Sequence, residues 1–374
     1  MVKQFVIMKK YILILLFIVS YNFILAQKYE FTPVIDIPAS SVKSQGKTGT
    51  CWSFSTSSFL ESEIKRISGM DIDISEMYIV RMTYNDKAWN YVMRQGNAQF
   101  SEGGLAHDLM NSARLNGLVP QEAFTGLFGE QITYNHSKIV PEIKVVLDKY
   151  IDKDSTVTSW KDPTETILDK KIGTPLTSFS YNGKTYTPQE FLAYTKLNPD
   201  NYITLTSFTH QPYYSKFILD IPDNFSNGTF YNLSLNEYMN SIDNALKNGY
   251  TVELDIDVSE SSFSQKSGVA VIAKNKENNK KGLKTIIDEM VISPEYRQAE
   301  FENFNTTDDH LMHITGIMKD QKGNKYYKVK NSWGTAVANG GYIYISESYM
   351  RLKSISVMIH KDAASKELKN SLGI

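Results

Sequence analysis

The sequence predicts an α+β protein folded as two lobes. Apolar positions recur at helical spacing through the first third of the chain, alternate as strands do in the last third, and mix both habits between. Residues 50–67 begin small and apolar, become charged in their second half and stop at Ser68-Gly69, the pattern of a helix whose Cys51 end is buried. A second helix is expected over 75–84. A third covers 105–115, introduced by Gly103-Gly104 and ended by Asn116-Gly117. Between about 120 and 249, helical pieces at 142–150 and 235–248 are separated by turns such as Asn182-Gly183 and Asn227-Gly228. Strands then follow at 251–258, 310–317, 325–329 and 342–345. The expected division is a helical lobe over about 45–120, an insertion over 121–249, a strand-rich lobe over 250–360 and a tail over 361–374.

Ahead of this lies an export signal. Lys3, Lys9 and Lys10 precede an almost wholly apolar stretch at 11–24, and Leu25-Ala26 offers a small-residue cleavage point. The apolar stretch is short, carries Ser20, Tyr21 and Asn22 near its end and runs straight into polar sequence, so export is expected rather than a stable membrane anchor. Removal of residues 1–26 leaves 348 residues with 37 basic against 41 acidic side chains, a net charge of −4 that points away from nucleic acid. At 41 % hydrophobic content the chain can bury a large core. The 18 residues at 27–44 are too few for a sizeable folded pro-domain.

One cysteine cannot form an intramolecular disulfide, so Cys51 is either a buried inert thiol or a chemical group. Its place at a helix start favours chemistry, because unpaired backbone N–H groups and the helix dipole stabilise a thiolate there. Among the six histidines, His310 is the candidate base: it opens an alternating strand in which positions 310 and 313 face opposite sides. Asn331, at the end of the following strand, could accept the imidazole N–H and fix the ring, while Trp333 shields that bond from water. Gln45, six residues before Cys51, could join the Cys51 amide in donating to an oxyanion.

Together these positions resemble the papain superfamily, whose pattern of Gln, Gly-x-Cys-Trp-x-Phe, a His-bearing strand and Asn-Ser-Trp-Gly stands here as Gln45, Gly49-Thr50-Cys51-Trp52-Ser53-Phe54, His310 and Asn331-Ser332-Trp333-Gly334. In that family the catalytic His precedes a Gly by six positions, which fits His310 and Gly316 and rejects His313. The disulfide usual in the secreted members would fall at Thr48 and Ser101, and both halves are missing together. Within the superfamily the chain looks like the bleomycin hydrolase and aminopeptidase C branch, on His-x-Met at His310, cysteine poverty, and 259 positions between nucleophile and base against roughly 130 to 150 in plain papain-like enzymes.

The resemblance implies a papain-like two-lobe fold, Cys51, His310, Asn331 and Gln45 as catalytic residues, and Gly103, Gly104 and Trp333 along the substrate cleft, the two glycines having a helix-entry turn as their other reading. It implies no metal or cofactor. The expected function is a cysteine peptidase working through a Cys51 thioester, an aminopeptidase by resemblance; an endopeptidase, an acyltransferase and a non-catalytic peptide-binding relative are the alternatives. Members of that branch are cytosolic hexamers whose C-terminus lies in the cleft. Here residues 361–374 would take that place or form a solvated, partly helical tail, and a homo-oligomer stays open.

Overall fold

A computed structural model describes residues 28–153 and 156–374, so the expected signal at 1–26 lies outside the described residues. After strand β1 (Phe31–Asp36), three helices form the first half: α1 (Cys51–Ser68), α2 (Glu76–Met93) and α3 (Ala106–Asn116). Helix α1 ends where Gly69 takes a left-handed φ of 75°, and α2 begins where the Ser75 hydroxyl accepts the Tyr78 amide. The second helix runs nine residues past the expected 84, because Ala88, Tyr91 and Val92 continue its buried face.

The middle holds α4 (Ile139–Ile151), α5 (Lys161–Lys171), the hairpin β2 (Phe179–Tyr181) and β3 (Lys184–Tyr186), α6 (Pro188–Thr195), β4 (Tyr202–Thr206), β5 (Lys216–Ile218), β6 (Thr229–Asn232) and α7 (Leu235–Lys247). The rest comprises β7 (Val252–Ile256), β8 (Phe263–Ser264), β9 (Val269–Ala270), α8 (Asn279–Gly282), α9 (Pro294–Glu302), β10 (His310–Asp320), β11 (Lys325–Lys330), β12 (Tyr342–Ser346), α10 (Glu347–Lys353), β13 (Ser354–His360) and α11 (Lys366–Leu372).

Eleven strands make one sheet in the order β5-β6-β4-β13-β7-β10-β11-β12-β9-β8, with β1 added against β10. The segment expected as an insertion is therefore divided: α4 and α5 join the helical side beside α2, while β4, β5 and β6 extend the sheet.

Strand β10 separates two cores. Leu311 faces Trp52, Phe59 and Leu60 of α1, whereas Met312 and Ile314 face Tyr238, Ile242 and Leu246 of α7. Small buried residues along α1 (Ser53, Ser55, Ser57, Ser58) let that helix lie close on the sheet. Gly316 serves a similar end: a Cβ there would run into the Ile35 carbonyl, so only glycine admits β1 at this point. The C-terminal helix α11 buries Leu368 among the α7 residues, on the face of the sheet away from α1. Residues 361–374 thus form a partly helical, half-exposed tail on the side of the sheet away from α1.

Candidate active site

Cys51 is the first residue of α1, and no side chain caps that helix, so the Cys51 and Trp52 amides at its start remain available to a negative charge. The sulfur lies against the Leu311 backbone N–H at the start of β10, next to His310. Pairing of His310 with Ile256 on β7 fixes the mouth of that strand. The His310 Nε2 and Asn331 Oδ1 atoms are 2.7 Å apart, and Asn331 Oδ1 also accepts the Ser332 amide at 2.7 Å. Asn331 Nδ2 donates to Gln265 Oε1 at 2.8 Å, which settles which way the amide faces. Trp333, 39 % exposed, lies over the His310 ring with centroids 4.8 Å apart, and Phe263 meets the indole edge-on.

Gln45 comes from the opposite lobe and is tied to the same strand end. Its amide donates to the Ser332 carbonyl at 2.8 Å, its Oε1 accepts the Ser332 hydroxyl at 2.6 Å, and its Nε2 donates to the Thr48 carbonyl at 2.7 Å. One Nε2 hydrogen is thereby used to orient the group, leaving the other for an oxyanion. Gly46 makes this turn with a φ of 64°, where a Cβ would strike the Tyr134 carbonyl. The four positions expected to act together lie in one place, at the junction of α1 with the ends of β10 and β11. His313 is apart from them, buried under α1 with its Nδ1 2.9 Å from Ser58 Oγ.

Burial governs the electrostatics. It pushes the Cys51 thiol up to about 12; the Leu311 amide acts the other way, and the charges of Asp223, Asp308 and Asp255 add to the rise. Burial likewise lowers His310 to about 4, against the opposing hydrogen bond with Asn331. Burial thus disfavours the charged form of each group taken alone. A proton passed from the thiol to the imidazole would create both charges at once, each compensating the other.

Gly103 and Gly104 flank the site and do not stand open. Gly104 packs on the Trp52 ring, where a Cβ would come within 3.1 Å, and the Gly103 carbonyl accepts from the buried Lys87 ammonium. Over Gly103 lies the Asp223 carboxylate, close enough to fill the place of a Cβ. Asp223 belongs to a strap at 219–228. Asn224 clamps it internally through the Leu219 and Gly228 carbonyls, Gln99 and Ser101 bind Asp223, and Ser226 donates to Asp108 Oδ1 at 2.6 Å. The Lys87 ammonium sits 5.0 Å over the Phe225 ring.

Residue types and spacing gave no hint of this strap, of Gln265, or of Glu102. Glu102 accepts the Gly49 amide at 2.6 Å while its carbonyl accepts the Trp52 indole at 3.0 Å, so it joins the two segments that would otherwise be bridged at Thr48 and Ser101.

Glu61, Asp73 and Glu76 are the acidic cluster with metal-like spacing among the described residues. The Lys43 ammonium occupies their centre, in contact with all three.

Comparison with known proteins places these features in a lineage. Residues 179–373 match the peptidase C1-like family, and residues 35–149 match the papain family of cysteine proteases. The chain is 23 % identical to aminopeptidase C of Listeria monocytogenes over 91 % of its own length and 85 % of that protein, and 21 % identical to aminopeptidase C of Lactococcus lactis subsp. cremoris over 89 % and 83 %. In fold it is similar to pepw from Lactobacillus rhamnosis, with a TM-score of 0.68 at 18 % identity, covering 91 % of this chain and 84 % of that one. The chain belongs to the peptidase C1-like family and is a papain-like cysteine peptidase.

Proposed function

We propose that this peptidase is an aminopeptidase, removing residues one at a time from the free N-terminus of peptides. The observation that carries the reading is the strap at 219–228, whose Asp223 carboxylate lies over Gly103, is held there by Gln99 and Ser101, and acts electrostatically on Cys51. Relatives named aminopeptidase C support the same reading. In catalysis, His310 takes the Cys51 proton as sulfur attacks the first peptide carbonyl. Gln45 Nε2 and the Cys51 amide donate to the oxyanion, and loss of one such donor costs roughly 3 to 4 kcal/mol of transition-state stabilisation. The imidazolium protonates the leaving amine, and the thioester is then hydrolysed by water that His310 activates. Asn331 holds the ring through both steps.

Kinetics with aminoacyl-coumarin substrates, free or acetylated at the amino group, test this. Turnover confined to the free amine is expected; comparable kcat/KM for both forms would mean an endopeptidase. The basic and apolar pattern of residues 1–26 supports export as the setting.

A further inference from the structure

Beside Cys51 lies a group of acids that the steps above do not use. Asp255 projects from β7 on the side of its cross-strand neighbour Leu311, and Asp308 lies two residues before His310. Together with Asp223 of the strap, both are within electrostatic reach of the sulfur. Both Asp308 carboxylate oxygens are buried and make no hydrogen bond of normal geometry; their nearest polar neighbours are the Asp223 backbone amide and the Asp255 carboxyl. Asp255 Oδ1 is likewise buried without a well-formed hydrogen bond; the Asp255 and Asp308 carboxyls face one another, and Asp255 Oδ2 meets the Ser356 hydroxyl at 3.5 Å. Asp223 differs, since Gln99 and Ser101 bind its Oδ1. Among the described residues, neither Asp255 nor Asp308 is in an ion pair, and the nearby Lys87 ammonium is committed to the Ser101 and Gly103 carbonyls. Carboxyls buried with so few donors are costly, so this cluster is complementary to a cation with several N–H groups.

We infer that Asp308 and Asp255, roofed by Asp223, form the subsite that holds the free α-ammonium group of the substrate's first residue. The inference rests on the aminopeptidase reading and adds its recognition element. Position selects the α-ammonium over a basic side chain: the α-nitrogen lies about 2.5 Å from the carbonyl carbon that sulfur attacks, by ordinary bond lengths, and all three acids act electrostatically on that sulfur. The strap contributes by holding one carboxylate over Gly103. An acetylated amine offers neither the charge nor the three donors and brings bulk against Asp223.

The test compares Asp308→Asn and Asp223→Asn with the unaltered protein, using free and acetylated aminoacyl-coumarins and mass-spectrometric alkylation of Cys51 by iodoacetamide. A lost charge-assisted contact predicts that Asp308→Asn raises KM for the free amine by at least about tenfold with a smaller change in kcat. Cys51 should still alkylate fully. Asp223→Asn should raise KM by roughly threefold or more and narrow the preference over the acetylated substrate. An unaltered protein that demands a free amine, with both variants alkylating normally and keeping its KM, overturns the subsite while leaving the aminopeptidase reading intact. Equal turnover of the two substrates by the unaltered protein removes that reading and the subsite with it. Should Asp308→Asn fail to fold, an unchanged KM in Asp223→Asn is sufficient to overturn the proposal.

Discussion

At the scale of single residues, the state of Cys51 follows from two opposed demands: a nucleophile needs charge, and a site that excludes water penalises it. With the thiol pushed up to about 12 and His310 lowered to about 4, both by burial, ionisation depends on the partner. Replacement of His310 by Ala should therefore slow alkylation of Cys51 by iodoacetamide at pH 7 by at least about a hundredfold, with reactivity returning only in strong alkali. An alkylation rate equal to that of the unaltered protein would show that the helix end alone ionises the thiol. Asn331 and Gln265 act one step further out, on the orientation of the imidazole. Glu102 serves the neighbouring loop, holding Gly49 and Trp52 by hydrogen bonds in a chain whose lone cysteine leaves no disulfide to do so.

At the scale of elements, α1 is tied to α2 and to the loop that precedes it by a buried ion cluster as well as by apolar packing. Lys43 faces Glu61 and Glu76, both buried, and burial raises the Glu76 carboxyl to about 7 in spite of that ammonium. Replacing Lys43 with Met strands two buried acids and should cost about 3 kcal/mol in denaturant unfolding near neutral pH. The sign of its pH dependence is fixed. A carboxyl whose pKa is raised on folding contributes stability below its unfolded value, lost as pH rises through the folded one. The variant should therefore lose more stability at pH 8 than at pH 5, and a loss independent of pH would contradict this account of the ion cluster. The C-terminal element separates two ideas about access. Its Leu368 packs with α7, away from Cys51, so deletion of Gly373 and Ile374 should leave kcat/KM within about twofold and leave acetylated substrates uncleaved. Cleavage of blocked substrates by the truncated protein would restore the terminus as the gate.

At the scale of the whole molecule, the sequence was most readable where local chemistry decides structure. The helix at Cys51 was expected over 50–67 and forms at Cys51–Ser68, and the strand at His310 was expected over 310–317 and forms at His310–Asp320. Strands β1, β4 and β13 carried weaker signals, since β13 is buried along its whole length and shows no alternation. The four candidate catalytic residues were legible because their motifs are short and their spacing is specific. Asp223, Asp255 and Asp308 were not, because they meet only through tertiary folding: a strap, a central strand and a strand entry converge on one sulfur. The middle segment reads as an insertion along the chain yet supplies three strands to the main sheet and the strap to the cleft. Substrate access is thus built into the fold and does not need a separate domain.

The most direct measurement is a mass-spectrometric time course on a peptide of about fifteen residues with a free N-terminus. The account predicts a ladder of products shortened one residue at a time from that end, abolished by Cys51→Ala. Early appearance of internal fragments with an intact N-terminus would contradict it.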